Sequence, residues 1–115
     1  MSRLNIGNFL IDCVIDLERP FLEAKTFFPD MTDDMLAHCR RVLPKGDLTP
    51  EGKLQMRFQS FLVRTPRHTI LIDTCCGNGK DRPGRQDFHH LDTNYIGALA
   101  QAGVRPEQVL SLIHI

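Results

Sequence analysis

The sequence predicts an α/β domain with a mostly antiparallel or mixed sheet and two helices. Two neighbouring apolar segments, 55–64 and 69–73, predict the strands of an antiparallel hairpin, because Thr65-Pro66-Arg67-His68 between them is typical of a turn. A capped apolar stripe with helical spacing begins at Thr32. The length of 115 residues, with 42% hydrophobic and 24% charged residues, suits one small folded domain rather than a disordered chain.

The first part of the chain predicts strands and then an apolar loop. Residues 3–17 alternate loosely between apolar and polar side chains, and we expect one or two strands that end before Pro20. Residues 19–31 contain two prolines and two aromatic pairs, which favours an ordered loop that covers a core edge or a substrate cleft.

Two segments have the spacing of amphipathic helices. The first helix is capped by Thr32 and stopped by Pro44 and Gly46. The second is expected to be capped by Asp92 or Thr93 and to end at Gly103. The predicted apolar stripes are Met35, Leu36, Cys39, Val42 and Leu43 in the first, and Tyr95, Ile96, Leu99 and Ala100 in the second.

Composition excludes several classes of protein. Lysine and arginine together number 14, as do aspartate and glutamate, and this balance argues against a nucleic-acid partner. No apolar run approaches the roughly 20 residues that cross a bilayer, so no membrane partner is expected. The first residues do not resemble a signal peptide, and the four cysteines have no C-x-x-C spacing, which predicts a cytoplasmic protein with reduced thiols.

The Gly-rich segment after Asp73 is the first candidate site. A phosphate-binding P-loop is not supported, since Asp81 follows Lys80 where a serine or threonine is required. An aspartate that accepts a phosphoryl group in a D-x-D-G-T motif is not supported either, because Cys75 takes the second aspartate position. A third interpretation remains open: Asp73 is a carboxylate at a strand end, beside a glycine turn, that supports a metal site. His89 and His90 are adjacent, and neighbouring side chains are expected to diverge, so we interpret them as part of a polar loop.

Two motifs resemble one known family. The segment Ile70-Leu71-Ile72-Asp73-Thr74-Cys75-Cys76-Gly77-Asn78-Gly79-Lys80 is similar to the strand and D-T-G-x-G-like signature in the N-terminal half of the metallo-β-lactamase superfamily. Gly103-Val104-Arg105-Pro106-Glu107-Gln108-Val109 resembles its G-[VI]-x-P-E-[DQ]-V connector. Cys75 departs from the usual glycine but is similar to a branch of non-antibiotic hydrolases with D-T-C-x-G-N-x-K. The resemblance implies half of a four-layer αβ/βα sandwich.

The resemblance also implies a function for the parent protein. It would be a hydrolase with two zinc ions, acting on a small-molecule lactone, ester or organophosphate through a metal-bound hydroxide. Asp73, with Thr74 and Gly77, would support the metal region through hydrogen bonds. The apolar loop would cover the substrate pocket with Phe21, Phe27, Phe28 and Met31.

The family's metal-binding motif H-x-H-x-D-H, which would follow the connector, is absent from this sequence. We therefore expect no zinc, no catalytic residue and no hydrolysis in the chain as given. Two alternatives stay open: a homologue of the same fold that has lost its ligands, and a small α/β interaction domain. The oligomeric state is not indicated by the sequence.

The last six residues, 110–115, are expected to be non-native, which would leave a partial domain at 1–109. Leu110-Ser111-Leu112-Ile113-His114-Ile115 is one translation of CTG TCT CTT ATA CAC ATC, a transposon end used to build sequencing libraries. His114 would then be no metal ligand, although the apolar run imitates a strand.

The nucleotide sequence tests this expectation. If it is correct, the codons of 110–115 match the adapter. An intact gene continues after Val109 with an acidic residue, a short strand and T-H-x-H-x-D-H within about fifteen residues, the ligand clustering of a zinc hydrolase. Different codons, or a genomic copy with the same ending, would contradict it.

Overall fold

A computed structural model describes residues 3–113, in which five strands form one mixed sheet in the order β1-β2-β3-β4-β5. The strands are β1 (Arg3–Ile6), β2 (Phe9–Glu23), β3 (Lys53–Arg64), β4 (Thr69–Ile72) and β5 (Ser111–Ile113). The helices are α1 (Ala24–Phe27), α2 (Asp33–Val42) and α3 (Tyr95–Gln101), and 3₁₀ turns cover Gln86–Phe88 and Pro106–Gln108. The predicted α/β class and mixed sheet are confirmed.

Short turns join two of the strand pairs, and a longer connection joins a third. β1 and β2 are antiparallel, with Arg3 opposite Asp12, and Gly7 at φ +57° opens the turn between them. β3 and β4 are antiparallel, with Leu62 opposite Leu71, as the sequence predicts for this hairpin. β5 is parallel to β4, so the last strand returns through the connection that contains α3.

The chain divides into two compact units. The terminal unit comprises the chain up to Leu17 and from Phe58 onward, and the central unit is Glu18–Arg57. The core of the terminal unit is formed by Val14, Leu62, Leu71, Leu99, Ala102 and Val104. This core packs one face of α3 against the β3–β4 hairpin and so fixes the loops that follow β4. Over residues 3–113, no helix has the length and apolar character needed to span a membrane.

Hydrogen bonds to backbone carbonyls fix the turn 47–52 in the central unit. Ala24 is buried, and its amide donates to the carbonyl of Gly52 at 2.9 Å. Arg40 on α2 donates to the carbonyls of Thr49 and Pro50, both at 3.0 Å. Because these contacts satisfy carbonyls of the 47–52 turn, they fix its path beside α2.

The expected end of the second strand before Pro20 is wrong. β2 continues to Glu23, and α1 occupies part of the segment predicted as a loop, 19–31. β1 pairs only with Phe9–Asp12. Beyond Asp12, no further described strand pairs with that side of β2, and a proline is tolerated where its missing N–H is not needed by a ladder.

Both predicted helices form, with differences in their caps and faces. The Thr32 hydroxyl accepts from the Met35 amide at 3.2 Å, as expected for the cap of α2. The α2 stripe is not buried, since Met35 is 55% and Val42 60% exposed. The N-cap of α3 is Asn94 rather than Asp92 or Thr93.

The face that α3 buries is also displaced from the prediction. Ile96 is 58% exposed and Ala100 is exposed, whereas Leu99 and Ala102 are buried. Gly103, at φ +85°, follows the end of the helix as predicted. Tyr95 and Ala98 pack against the same core, so the buried face of α3 runs along the whole helix.

A buried carboxylate joins three strands of the terminal unit. Asp12 on β2 is fully buried, and the guanidinium of Arg3 donates to its two oxygens at 2.7 and 3.0 Å. Arg64 on β3 donates both to Asp12 and to the carbonyl of Ala102 at the end of α3. The hydrogen bond from Arg3, supported by Arg64, holds the pKa of Asp12 below its ordinary value against the opposing effect of burial.

We predict that Asp12→Asn lowers the free energy of unfolding by about 3 kcal/mol, because removing one partner of a buried ion pair leaves the other charges uncompensated. Glu18→Gln is the matched control, since Glu18 also binds an arginine through two oxygens but is exposed, and it should lose less than about 1 kcal/mol. Urea denaturation followed by circular dichroism measures both.

The pH dependence has a defined direction. A carboxyl whose pKa is lower in the folded chain stabilises the fold above its unfolded value of about 3.9, and this contribution disappears as the pH falls through the folded value. The native chain should therefore lose stability below about pH 4 more steeply than Asp12→Asn. Equal slopes for the two proteins would contradict the assignment.

Candidate functional site

The loop that follows β4 is shaped by Asp73. The Asp73 amide donates to the carbonyl of Ile113 at 2.7 Å, and its Oδ1 accepts from the amides of Thr74 at 2.6 Å and Cys75 at 3.1 Å. Asp73 and Cys75 have φ of +64° and +59°, a region that few residues other than glycine adopt. The carboxylate thus builds the turn, while its predicted role beside a metal stays a prediction.

Glycines complete the loop. Gly77 has φ +76°, and a Cβ there would lie 3.1 Å from Cε of Lys80. Side chains are therefore disfavoured at this position both by the backbone and by the close approach of Lys80.

Thr74 and Gly77 line a cleft of about 460 Å³ in the terminal unit. Lys80 and Tyr95 supply polar groups to the same cleft, whereas most of the remaining wall is apolar, formed by residues such as Leu71, Leu99, Pro106 and Val109. Asp73 is not part of the wall, so it acts on the cleft through the shape of the loop.

A polar contact that sequence reasoning missed lies beside this cleft. Ser60 on β3 is fully buried, and its hydroxyl lies 2.7 Å from the Tyr95 hydroxyl and 3.5 Å from the Cys75 sulfur. Burial raises the pKa of Cys75 to about 11. The thiol is therefore protonated at neutral pH and is a poor nucleophile.

A second polar contact joins the loop to the segment before α3. The Asn78 side chain donates to the carbonyl of Thr93 at 2.7 Å and accepts from the Thr93 amide at 3.0 Å. The Thr93 hydroxyl donates to Asp16 on β2. Asn78, the asparagine of the G-N-x-K motif, is thus a structural residue that fixes the backbone at Thr93, just before α3.

The four predicted pocket-cover residues do not surround one cleft. Phe28 and Met31 line a groove of about 560 Å³ beside α2 in the central unit. Phe27 packs edge to face on Phe28 with ring centroids 5.0 Å apart, and Phe21 lies in β2 rather than in a loop. Their predicted role over a substrate stays a prediction.

The expected divergence of the two adjacent histidines is wrong. The rings of His89 and His90 stack with centroids 3.9 Å apart, and Asp81 lies near both. His90 has φ +47°, which reverses the usual alternation of neighbouring side chains. The sequence carries only a weak signal for this backbone conformation, because histidine adopts it more often than most residues but still rarely.

The loop around Asp73 does not fit a zinc centre by itself. Zinc sites need three or four donors, and Oδ1 of Asp73 already accepts two amides. In the described part of the chain, the three-donor group of histidine, cysteine and acidic side chains that stands out is Asp81, His89 and His90.

We predict that Asp73→Ala destabilises the chain by about 1–2 kcal/mol, because the amides of Thr74 and Cys75 lose their acceptor and alanine disfavours positive φ. Asp73→Asn keeps a side-chain oxygen and tolerates this backbone region, so it should lose less than half of that. Thermal unfolding of the two variants makes the comparison, and equal losses would argue against the role assigned to the carboxylate.

Three solved structures are similar to this chain over nearly its whole length. Hydrolase AbOPH of the beta lactamase superfamily has a TM-score of 0.71 and 19% identity, covering 97% of this chain and 34% of that one. A probable metal-dependent hydrolase from Staphylococcus aureus has a TM-score of 0.71 and 15% identity, covering 96% and 38%. AidC, a dizinc quorum-quenching lactonase, has a TM-score of 0.69 and 18% identity, covering 98% and 34%.

The chain spans about a third of the length of these structures. No family model and no curated protein matches the sequence. At such low identity the likeness concerns the fold, and it agrees with the resemblance carried by the D-T-C-C-G-N-G-K segment. The chain has the α/β fold found in part of each of these three hydrolases.

Proposed function

We propose that this chain is part of a metal-dependent hydrolase that acts on a lactone, an ester or a related small molecule. The observation that carries the proposal is the structural match over 96–98% of the chain to three hydrolases, one of which is a lactonase with two zinc ions. The motif after β4 supports it independently, because that resemblance rests on the residue types of the D-T-C-C-G-N-G-K segment and not on the shape of the backbone.

The cleft beside Asp73 favours a neutral substrate. Its wall is largely apolar, with polar groups only from the Thr74–Lys80 loop and from Tyr95. Ligand sites commonly combine an apolar wall with a few polar groups that orient the ligand. An acyl chain fits the apolar part of such a wall better than a highly charged substrate does.

In this proposal Asp73 is a positioning residue. Its carboxylate holds the Thr74 and Cys75 amides, so it sets the direction in which the loop presents Thr74 and Gly77 to the cleft. Outer hydrogen bonds of this kind affect hydrolysis by fixing the groups that touch the substrate.

The zinc chemistry belongs, in this proposal, to the longer protein, in which two ions are expected. The donors around Asp73 do not suffice for such a centre. We therefore propose that the 115-residue chain alone is not an active hydrolase.

The test compares the 115-residue chain with a longer gene product that contains it and carries the H-x-H-x-D-H motif. Both are supplied with zinc and assayed on an N-acyl homoserine lactone, an aryl ester and a phosphotriester. We expect hydrolysis of at least one lactone or ester by the longer protein and none by the short chain. Absence of hydrolysis of all three substrates by the zinc-loaded longer protein would overturn the proposal.

A matched pair of variants tests the role of the loop in the longer protein. Asp73→Ala should lower kcat/KM by about 10–100-fold, as is typical for loss of an outer hydrogen-bonding partner in a metal enzyme. Asp92→Ala, at an exposed position, should change it less than about twofold. A loss confined to protein yield, with kcat/KM unchanged per folded molecule, would assign Asp73 a purely structural role.

A further inference from the structure

Three side chains outside the site described above bring metal-ligand atoms together. The ligand atoms of Asp81, His89 and His90 lie within 4.8 Å of one another. Oδ1 of Asp81 lies 3.5 Å from Nδ1 of His89 and 3.4 Å from Nε2 of His90. Donor atoms bound to one metal ion at about 2.0–2.2 Å are separated by distances of this order.

The backbone conformation of His90 makes the arrangement possible. Its φ of +47° turns the imidazole to the same side as that of His89, and the two rings stack at 3.9 Å with an interplanar angle of 21°. Because imidazole lone pairs lie in the ring planes, one ring must rotate about χ2, a soft torsion, for both to bind the same ion. Histidine, like asparagine and aspartate, adopts this region more readily than most residues other than glycine.

Backbone hydrogen bonds hold the two sides of this cluster together. The Gly79 amide donates to Leu91, and the His90 amide donates to Lys80, both at 2.8 Å. These bonds close the loop 79–91, so that Asp81 on one side faces the two histidines on the other. The three side chains are thus held near one another before any ion binds.

Arg82 shapes the cluster without competing for its carboxylate. Its guanidinium donates to the carbonyls of Cys76 at 2.8 Å and Phe88 at 3.4 Å. Its amide donates to Nδ1 of His89 at 2.8 Å. The Nδ1 lone pair of His89 is therefore occupied. An ion that binds there must displace the amide hydrogen bond, a loss of about 1 kcal/mol that the new bonds to the metal must exceed.

We propose that Asp81, His89 and His90 bind one divalent transition-metal ion of the zinc class. Two imidazoles and one carboxylate favour zinc, cobalt or nickel over magnesium or calcium, which prefer oxygen ligands alone. His90 and Asp81 are 62% and 78% exposed, so water completes the coordination and the site is open rather than closed. The proposal does not rest on the proposed hydrolase function, and it departs from the expectation that the chain holds no zinc.

The test titrates the full 115-residue chain, purified without a polyhistidine tag, with Zn²⁺ in a calorimeter and with Co²⁺ in a spectrophotometer. We expect about one ion per chain and visible absorption bands of Co²⁺ bound to nitrogen ligands. Asp81→Asn and His90→Asn should each weaken binding by about tenfold or more, since even an outer partner is worth that much. Asparagine is chosen at position 90 because it tolerates positive φ, so the loop keeps its conformation.

The controls use the other histidines of the chain. His38→Asn on α2 and His68→Asn in the β3–β4 turn should change the affinity less than about twofold, as should His114→Asn, which lies outside the described residues. Circular dichroism verifies the folding of each variant. The proposal is overturned by absence of Zn²⁺ and Co²⁺ binding, by binding that the Asp81 and His90 variants leave unchanged, or by binding that requires His114.

Discussion

The buried carboxylate of Asp12 is the contact on which the terminal unit depends. It lies where β1, β2 and β3 are neighbours, and it neutralises Arg64, which in turn binds the carbonyl of Ala102 at the end of α3. One ion-pair network therefore joins the sheet to the helix that packs on it. An apolar residue at position 12 would leave the charge of Arg64 without a partner. The aspartate and the arginine therefore depend on each other.

The core beside this ion pair also positions the residues that form the cleft. Leu62 and Leu71 are opposite each other in the β3–β4 hairpin, and Leu99 packs on both through the core. The end of β4 and the beginning of α3 are thereby brought to the same place. There the Tyr95 hydroxyl contacts the Ser60 hydroxyl, and the loop that follows β4 lines the cleft. The stability of the core and the shape of the candidate site are consequences of the same packing.

The features that could be predicted from the sequence are those with strong local signals. The turn at 65–68 and the Thr32 cap act through residues near in sequence, so the β3–β4 hairpin and α2 form where expected. The Asp73 loop was identified in the same way, because its motif is contiguous. The passage of β2 through Pro20 depends instead on which strands lie beside it. The positive φ of His90 depends on hydrogen bonds between the two sides of a closed loop. No local sequence pattern indicates the course of β2 or the conformation of His90.

Backbone strain connects the two sites. Among residues 3–113, the positions other than glycine with positive φ are Asp73, Cys75 and His90, all in the segment after β4. Strain of this kind is offset by surrounding contacts, and Arg82 supplies them to both sites. Its guanidinium holds the carbonyl of Cys76 beside the cleft, while its amide holds the ring of His89. Because the backbone of Arg82 is fixed at His89 while its side chain reaches Cys76, this one residue links the two segments.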